Sequence, residues 1–274
     1  MSLNEKIKAF LFDIDGTLVN QELEMSPKLR EALKILKEKG YHVSINTGRP
    51  YRASEQIMIN NGASDLFEYY FGSNGVELYD TFKKEKTYVA EIAPETLKDL
   101  DPQFREDYLA LITYDDKGHI LFNHMPKSKE HVDFWCRVRF STPVLYDYQT
   151  NERACPKAAL LFETERRQDF EEKMNKFTDD RVDVFFSGNH VMEVVPKGMD
   201  KGRSVYEYAR ILGIDPKEIL CIGDQESDLS AMFNGTGLFV GDETPEGKEK
   251  VPYTCESVHE DGIYKFLKRE GFLD

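Results

Sequence analysis

An apolar run, Ala9-Phe10-Leu11-Phe12, ends without transition in Asp13-Ile14-Asp15-Gly16-Thr17, and no other stretch restricts the fold as much. Four apolar residues closed off by a glycine-containing turn read as a buried strand. Side chains alternate along a strand, but a chain that leaves the strand at Asp13 can turn both acids toward one crevice. Open α/β sheets bind ligands beyond the carboxyl ends of their strands. Two acids in that position are costly unless they hold a cation or take part in chemistry. The plainer alternatives are a solvated turn or a Ca²⁺ loop. An EF-hand loop needs a third acidic or amide position before its glycine and a Glu near its end. Here Gly16 follows Asp15 directly, and a strand precedes the pair.

The next segment sets the direction of pairing. Ser26-Pro27 is a helix start, with a capping hydroxyl followed by proline at the first helical position. Leu29, Leu33 and Leu36 recur at helical spacing, and Gly40 closes the helix. Tyr41 to Ile45 then reads as a second strand that ends in Asn46-Thr47-Gly48-Arg49-Pro50. Strand, helix, strand in so short a span is a βαβ unit with parallel strands and a right-handed crossover. Asp13 and Thr47 are therefore expected at the same edge. A helix over 52–60, a strand over 67–71, a turn at Gly72-Ser73-Asn74-Gly75 and a hairpin of 76–79 with 86–92 are expected next.

The texture then changes. Charged helical stretches (128–139 and 165–177) alternate with strands at 157–162 and 182–186, which implies an inserted α+β layer. The first pattern returns with a strand at 191–195, a loop at 196–202, a helix at 204–212 and a strand at 218–222 ending in Gly223-Asp224-Gln225-Glu226-Ser227-Asp228. A helix over 229–233, a strand over 237–240 and a helix over 263–269 complete the chain. The expected fold class is α/β, a Rossmann-like parallel-sheet core with an inserted α+β domain. The core takes residues 1–83 and 189–274, and the insert takes 84–188. Met1-Ser2-Leu3 are set aside as a cloning remnant.

A net charge of −14 over 274 residues argues against an extended nucleic-acid partner, while leaving room for a local phosphate pocket. Cys136, Cys155, Cys221 and Cys255 show no metal-like spacing, as in a reduced compartment. There is no apolar run of membrane-spanning length and no basic-then-apolar leader. The expectation is a cytoplasmic protein without membrane contact, a monomer or small homo-oligomer.

Taken together, Asp13-Ile14-Asp15-Gly16-Thr17, Asn46-Thr47-Gly48-Arg49, Lys201-Gly202 and Gly223-Asp224 with Asp228 resemble the haloacid dehalogenase-like phosphatases, specifically the Cof-type branch with a large α/β cap. Ser73-Asn74-Gly75, Glu193-Val194-Val195-Pro196 and Glu260-Asp261-Gly262-Ile263 are weaker echoes. The resemblance covers both core segments, and the middle third carries it only by length and position. It implies a phosphatase acting on a small phosphorylated metabolite, such as a sugar phosphate, through an aspartyl-phosphate. The cap would choose the substrate.

In that scheme Asp13 is the nucleophile, and Asp15 carries the proton to and from the leaving oxygen. Thr47 and the Gly48 N–H donate to the phosphoryl oxygens, and Lys201 places a positive charge beside Asp13 and the phosphate. Mg²⁺, a hard cation suited to oxygen ligands, is held by Asp13, the Asp15 backbone carbonyl and Asp224. Asp228 serves as a ligand or as support for Lys201, or instead caps the following helix. Lys197 competes with Lys201 for the cationic role. Arg49 either reaches substrate or forms a salt bridge near the loop, and Asn74 either faces the site or supplies a left-handed turn. Trp135 and Cys221 are read as structural, and His42 and His190 as structural or exposed. One departure stands out: Gln225 and Ser227 replace the family's usual Gly and Asn. A phosphomutase and a non-catalytic phospholigand-binding protein are the alternative functions.

Overall fold

The computed structural model describes residues 2–105, 108–115, 117–126, 129–138, 140–147, 152–187, 190–241 and 248–273. They fall into two compact units, one of residues 1–87 with 200–274 and the other of residues 88–199. The first unit begins with strands β1 (Ala9–Phe12), β2 (His42–Asn46), β3 (Tyr69–Gly72), β4 (Glu77–Asp80) and β5 (Glu85–Tyr88). The second carries β6 (Ala110–Tyr114), β7 (Ile120–Phe122), β8 (Pro143–Leu145), β9 (Ala158–Leu161), β10 (Val182–Phe186) and β11 (Val191–Pro196). The first then resumes with β12 (Ile219–Gly223), β13 (Thr236–Val240) and β14 (Tyr253–Cys255).

These strands make an eight-stranded sheet in the first unit, in the order β14-β13-β12-β1-β2-β3-β4-β5. Neighbours from β14 through β3 run parallel, and β4 turns back antiparallel to β3. Phe12 stands opposite Ile222 on one side and Ile45 on the other. The residues that follow β1, β2 and β12 thus leave the sheet side by side, as a parallel sheet requires.

The helix Pro27–Glu38 joins β1 to β2. The Ser26 hydroxyl accepts the Leu29 N–H at 3.1 Å, and Leu29, Ala32, Leu33 and Leu36 form its buried face. One apolar cluster covers this face of the sheet, and a second, built on Val205, Tyr208, Leu229 and Met232, covers the other. Leu3, set aside from the sequence, packs into the first cluster, and the Asn4 side chain donates to the Gly271 carbonyl at 3.0 Å.

Several elements differ from expectation. The expected hairpin strand over 86–92 is shorter and lies at 85–88, and β14 had no sequence signal. The helix expected from Ser204 begins at Lys201, because the Asp200 carboxylate accepts the Arg203 N–H and caps it there. The second crossing between units was expected near 188. Instead β11 lies between β10 and β9 in the six-stranded sheet of the second unit, so the crossing follows Met199. Gly188 and Asn189 themselves, and the expected helix ends Ser128 and Arg139, lie outside the described residues.

The second unit's sheet has the order β10-β11-β9-β6-β7-β8. The helices Pro94–Phe104 and Arg167–Lys176 pack one face through Leu97, Leu100, Phe104 and Phe170. The helix Lys129–Val138 packs the other through Val132, Trp135 and Cys136. No helix among the described residues is long and apolar enough to cross a membrane.

Candidate active site

Asp13 follows β1, Thr47 follows β2, and Asp224 follows β12. Lys201, the first residue of its helix, sends its ammonium under this edge, 2.9 Å from Asp13 Oδ1 and 2.6 Å from Asp228 Oδ1. Asp13, Asp224, Asp228 and Lys201 are each no more than 5% exposed. Carboxylate oxygens of Asp13, Asp224 and Asp228 lie within 4.8 Å of one another. Fully ionised, the three carboxylates and one ammonium would carry an excess of two negative charges in a buried space, which burial resists.

Burial raises the Asp13 carboxyl well above its usual range; Lys201 pulls it down, while Asp228, Asp224 and Asp15 push it further up. Burial and then Asp228 lift Asp224 to about 7, against the donors Gln225 and Thr17. For Lys201, burial opposes the charge, but Asp13 and Asp228 outweigh it and hold the amine protonated. Three carboxylates converging on one space are an all-oxygen donor set of the kind a hard divalent cation takes. The residues present fit such an ion.

Further contacts, some local and some from distant parts of the chain, support the acids. Gly16 has φ +72°, and a Cβ there would stand 2.2 Å from Asp224 Oδ2, so only glycine lets this turn approach the acid. Thr17 Oγ1 donates to Asp224 Oδ1 at 3.0 Å, and Gln225 Nε2 donates to Asp224 Oδ2 at 3.0 Å. Asp228 Oδ2 accepts the backbone N–H groups of Asp224 (3.2 Å) and Gln225 (3.0 Å). It makes no side-chain cap on the helix Leu229–Asn234. Asn46 Nδ2 donates to the Lys201 carbonyl at 2.9 Å.

The competing readings separate here. Lys197 pairs with Asp183 at 2.6 Å in the second unit, while Lys201 meets Asp13. Arg49 forks onto Asp15, with Nε to Oδ2 at 2.6 Å and Nη2 to Oδ1 at 2.7 Å, which is the salt-bridge reading. Asn74 supplies the left-handed turn. It has φ +59°, and its N–H donates to the Thr47 carbonyl at 3.0 Å beside Gly48. Trp135 and Cys221 are buried, His190 lies edge-on to Trp135, and His42 pairs with Glu68.

Sequence reasoning left Thr17, Asn46 and Gln225 without contacts of their own. Gln225 adjoins its partner Asp224 in the chain and so was open to being found, whereas Thr17 reaches an acid 207 positions away. Asn46 was hidden, because its partner is 155 positions away.

The family described as haloacid dehalogenase-like hydrolase matches residues 10–267 of this chain. A 5-amino-6-(5-phospho-D-ribitylamino)uracil phosphatase of Bacillus subtilis is 23% identical, over 93% of this chain and 94% of that protein. An HMP-PP phosphatase of Serratia proteamaculans is 26% identical, over 88% of this chain and 86% of its own length. The crystal structure of a haloacid dehalogenase-like hydrolase from Bacteroides thetaiotaomicron superposes with TM-score 0.82 at 25% identity, covering 96% of this chain and 99% of that one. With its strand-end acids on a parallel sheet, the chain belongs to the haloacid dehalogenase-like hydrolases, in their Cof-type phosphatase branch.

Proposed function

We propose that this chain is a Mg²⁺-dependent phosphatase that hydrolyses a small phosphorylated metabolite, a sugar phosphate or similar ester, through an aspartyl-phosphate on Asp13. The observation that carries the reading is the buried contact of Asp13 with Lys201 inside the cluster of three acids. A phosphomonoester repels an anionic nucleophile, so catalysis rests on positioning and on positive charge around the transferring group.

Asp13, Asp224 and the Asp15 carbonyl would hold Mg²⁺, which when bound supplies charge neutralisation for the phosphoryl oxygens. An Asp13 oxygen attacks phosphorus as the ester P–O bond breaks, and the Asp15 carboxyl gives its proton to the departing oxygen. Water then attacks the phosphoaspartate and passes a proton back to Asp15, which frees phosphate and restores Asp13. The Thr47 hydroxyl, the Gly48 N–H and the Lys201 ammonium neutralise the phosphoryl oxygens. Asp228 keeps Lys201 on Asp13, Arg49 aims Asp15, and Asn74 seats the Thr47–Gly48 turn. The unit of residues 88–199 selects the substrate. Relatives named as phosphatases, one of them for a phosphoribityl ester, support this substrate class.

Hydrolysis of 4-nitrophenyl phosphate, with and without Mg²⁺, tests the reading. Activity is expected to fall to background in chelator and in Asp13→Asn; undiminished turnover in either overturns the mechanism. Activation by a sugar bisphosphate with little release of phosphate would mark a phosphomutase instead.

A further inference from the structure

Glu77 on β4 is a buried acid with no part in the chemistry above; its side chain is 4% exposed. Oε2 accepts the Tyr51 N–H at 2.7 Å and the Ser73 hydroxyl at 3.4 Å, and Oε1 lies 3.6 Å from the Lys86 ammonium. Tyr51 opens the helix Tyr51–Asn60, whose capping position is Pro50 and offers no side-chain acceptor. Glu77 therefore supplies from another strand the acceptor that a capping side chain would otherwise provide.

The backbone just before that helix is the Thr47-Gly48-Arg49 turn, and it is laced to the turn after β3. Thr47 N–H donates to the Phe71 carbonyl (2.9 Å), Ser73 N–H to the Arg49 carbonyl (2.9 Å), and Asn74 N–H to the Thr47 carbonyl (3.0 Å). Glu77 touches both turns at their junction. The spacing there is tight: a Cβ on Gly72 would stand 2.8 Å from Glu77 Oε2, 3.0 Å from the Arg49 carbonyl oxygen and 3.1 Å from the Tyr51 nitrogen.

We propose that Glu77 is a positioning residue for phosphoryl binding: its carboxylate clamps the 47–51 turn to the 72–75 turn and so fixes where Thr47 and Gly48 present their donors. This rests on the phosphatase reading. It is the acceptor atom that matters, since removing it strands a buried N–H, a cost that is relieved by moving the turn. The charge is secondary. Glutamine keeps an acceptor toward Tyr51 but turns an NH₂ toward Lys86, a conflict that Lys86→Met removes.

The test compares the wild type, Glu77→Met and the double variant Glu77→Gln with Lys86→Met. It measures kcat and KM for 4-nitrophenyl phosphate and competitive inhibition by inorganic phosphate, below each unfolding midpoint and with the folded fraction set by circular dichroism. Glu77→Met is expected to weaken phosphate inhibition and raise KM in parallel, each about tenfold, with kcat changed less than about threefold; a factor of ten is about 1.4 kcal/mol. The neutral double variant is expected to stay within about threefold of wild type on every measure. Should Glu77→Met not fold, Gly72→Ala strains the same junction and is expected to show the same loss of phosphate affinity.

A folded Glu77→Met or Gly72→Ala that binds phosphate like the wild type overturns the clamp. A double variant as impaired as Glu77→Met overturns it too, in favour of charge. A wild type that neither hydrolyses the ester nor is inhibited by phosphate overturns the phosphatase reading and the clamp with it.

Discussion

Asp224 accepts Thr17 on Oδ1 and Gln225 on Oδ2. A donor on a carboxylate oxygen takes one of the two lone-pair sites that oxygen could offer a cation. Gln225→Gly, which restores the residue usual in the family, is therefore expected to tighten Mg²⁺ binding several-fold. The check is a titration of the Mg²⁺-induced rise in melting temperature, and a variant with weaker or unchanged binding would refute the competition. Arg49 poses a similar question for Asp15. Its planar fork meets both carboxylate oxygens, and lysine cannot reproduce that geometry. Arg49→Lys is expected to lower kcat about tenfold, with phosphate inhibition within about threefold of wild type. If inhibition weakens instead, Arg49 contacts the phosphoryl group directly.

Among the elements, the helix Lys201–Leu212 does most to assemble the site, and its start was hard to read in the sequence. Pro196-Lys197-Gly198-Met199-Asp200-Lys201-Gly202 carries loop residues throughout. Only the Asp200 cap, visible once Arg203 donates to it, brings Lys201 into the first turn. Gly202 lets this helix lie close to the helix Leu229–Asn234: a Cβ there would meet the Ser230 carbonyl oxygen at 2.9 Å and Asn234 Nδ2 at 2.6 Å. Gly202→Ala is expected to destabilise the fold by about 1–3 kcal/mol through overpacking. It should also lower kcat by displacing Lys201, as read by thermal unfolding and steady-state kinetics. An unchanged midpoint would show that the two helices are not in fixed register.

The helix Pro27–Glu38 was readable because Ser26, Pro27 and the leucine spacing are neighbours in the chain. The strands of the second unit were harder. β7 and β8 have three residues each, too few for a period to show, and pairing with distant partners is what makes them strands.

At the scale of the whole molecule, stability carries the signature of the buried acids. Burial raises the Glu77 carboxyl above its usual value near 4.5, with Tyr51 N–H and Lys86 opposing. A group whose folded pKa lies above its unfolded one binds more protons when folded. The stability it contributes is thus complete below the unfolded value and is lost as pH rises through the folded value. The double variant Glu77→Gln with Lys86→Met removes that titration. Its melting temperature is expected to gain on the wild type as pH rises from about 4.5 through the raised value, as measured across a pH series. A constant difference across the series would show that Glu77 titrates alike in both states.

The sequence alone determined the α/β class, the βαβ start, and the acids and threonine at the strand ends, because each of these signals is contiguous and local. It also pointed to Lys201 over Lys197, but only through resemblance. Tertiary structure decided which charges meet. Lys201 and Asp13 are 188 positions apart, Thr17 and Asp224 are 207 apart, and Glu77 reaches back 26 residues to Tyr51. The first two contacts exist only when parallel pairing sets β1 beside β12, the third only when β3 and β4 pair alongside β2, and no local pattern encodes the partner of a buried charge.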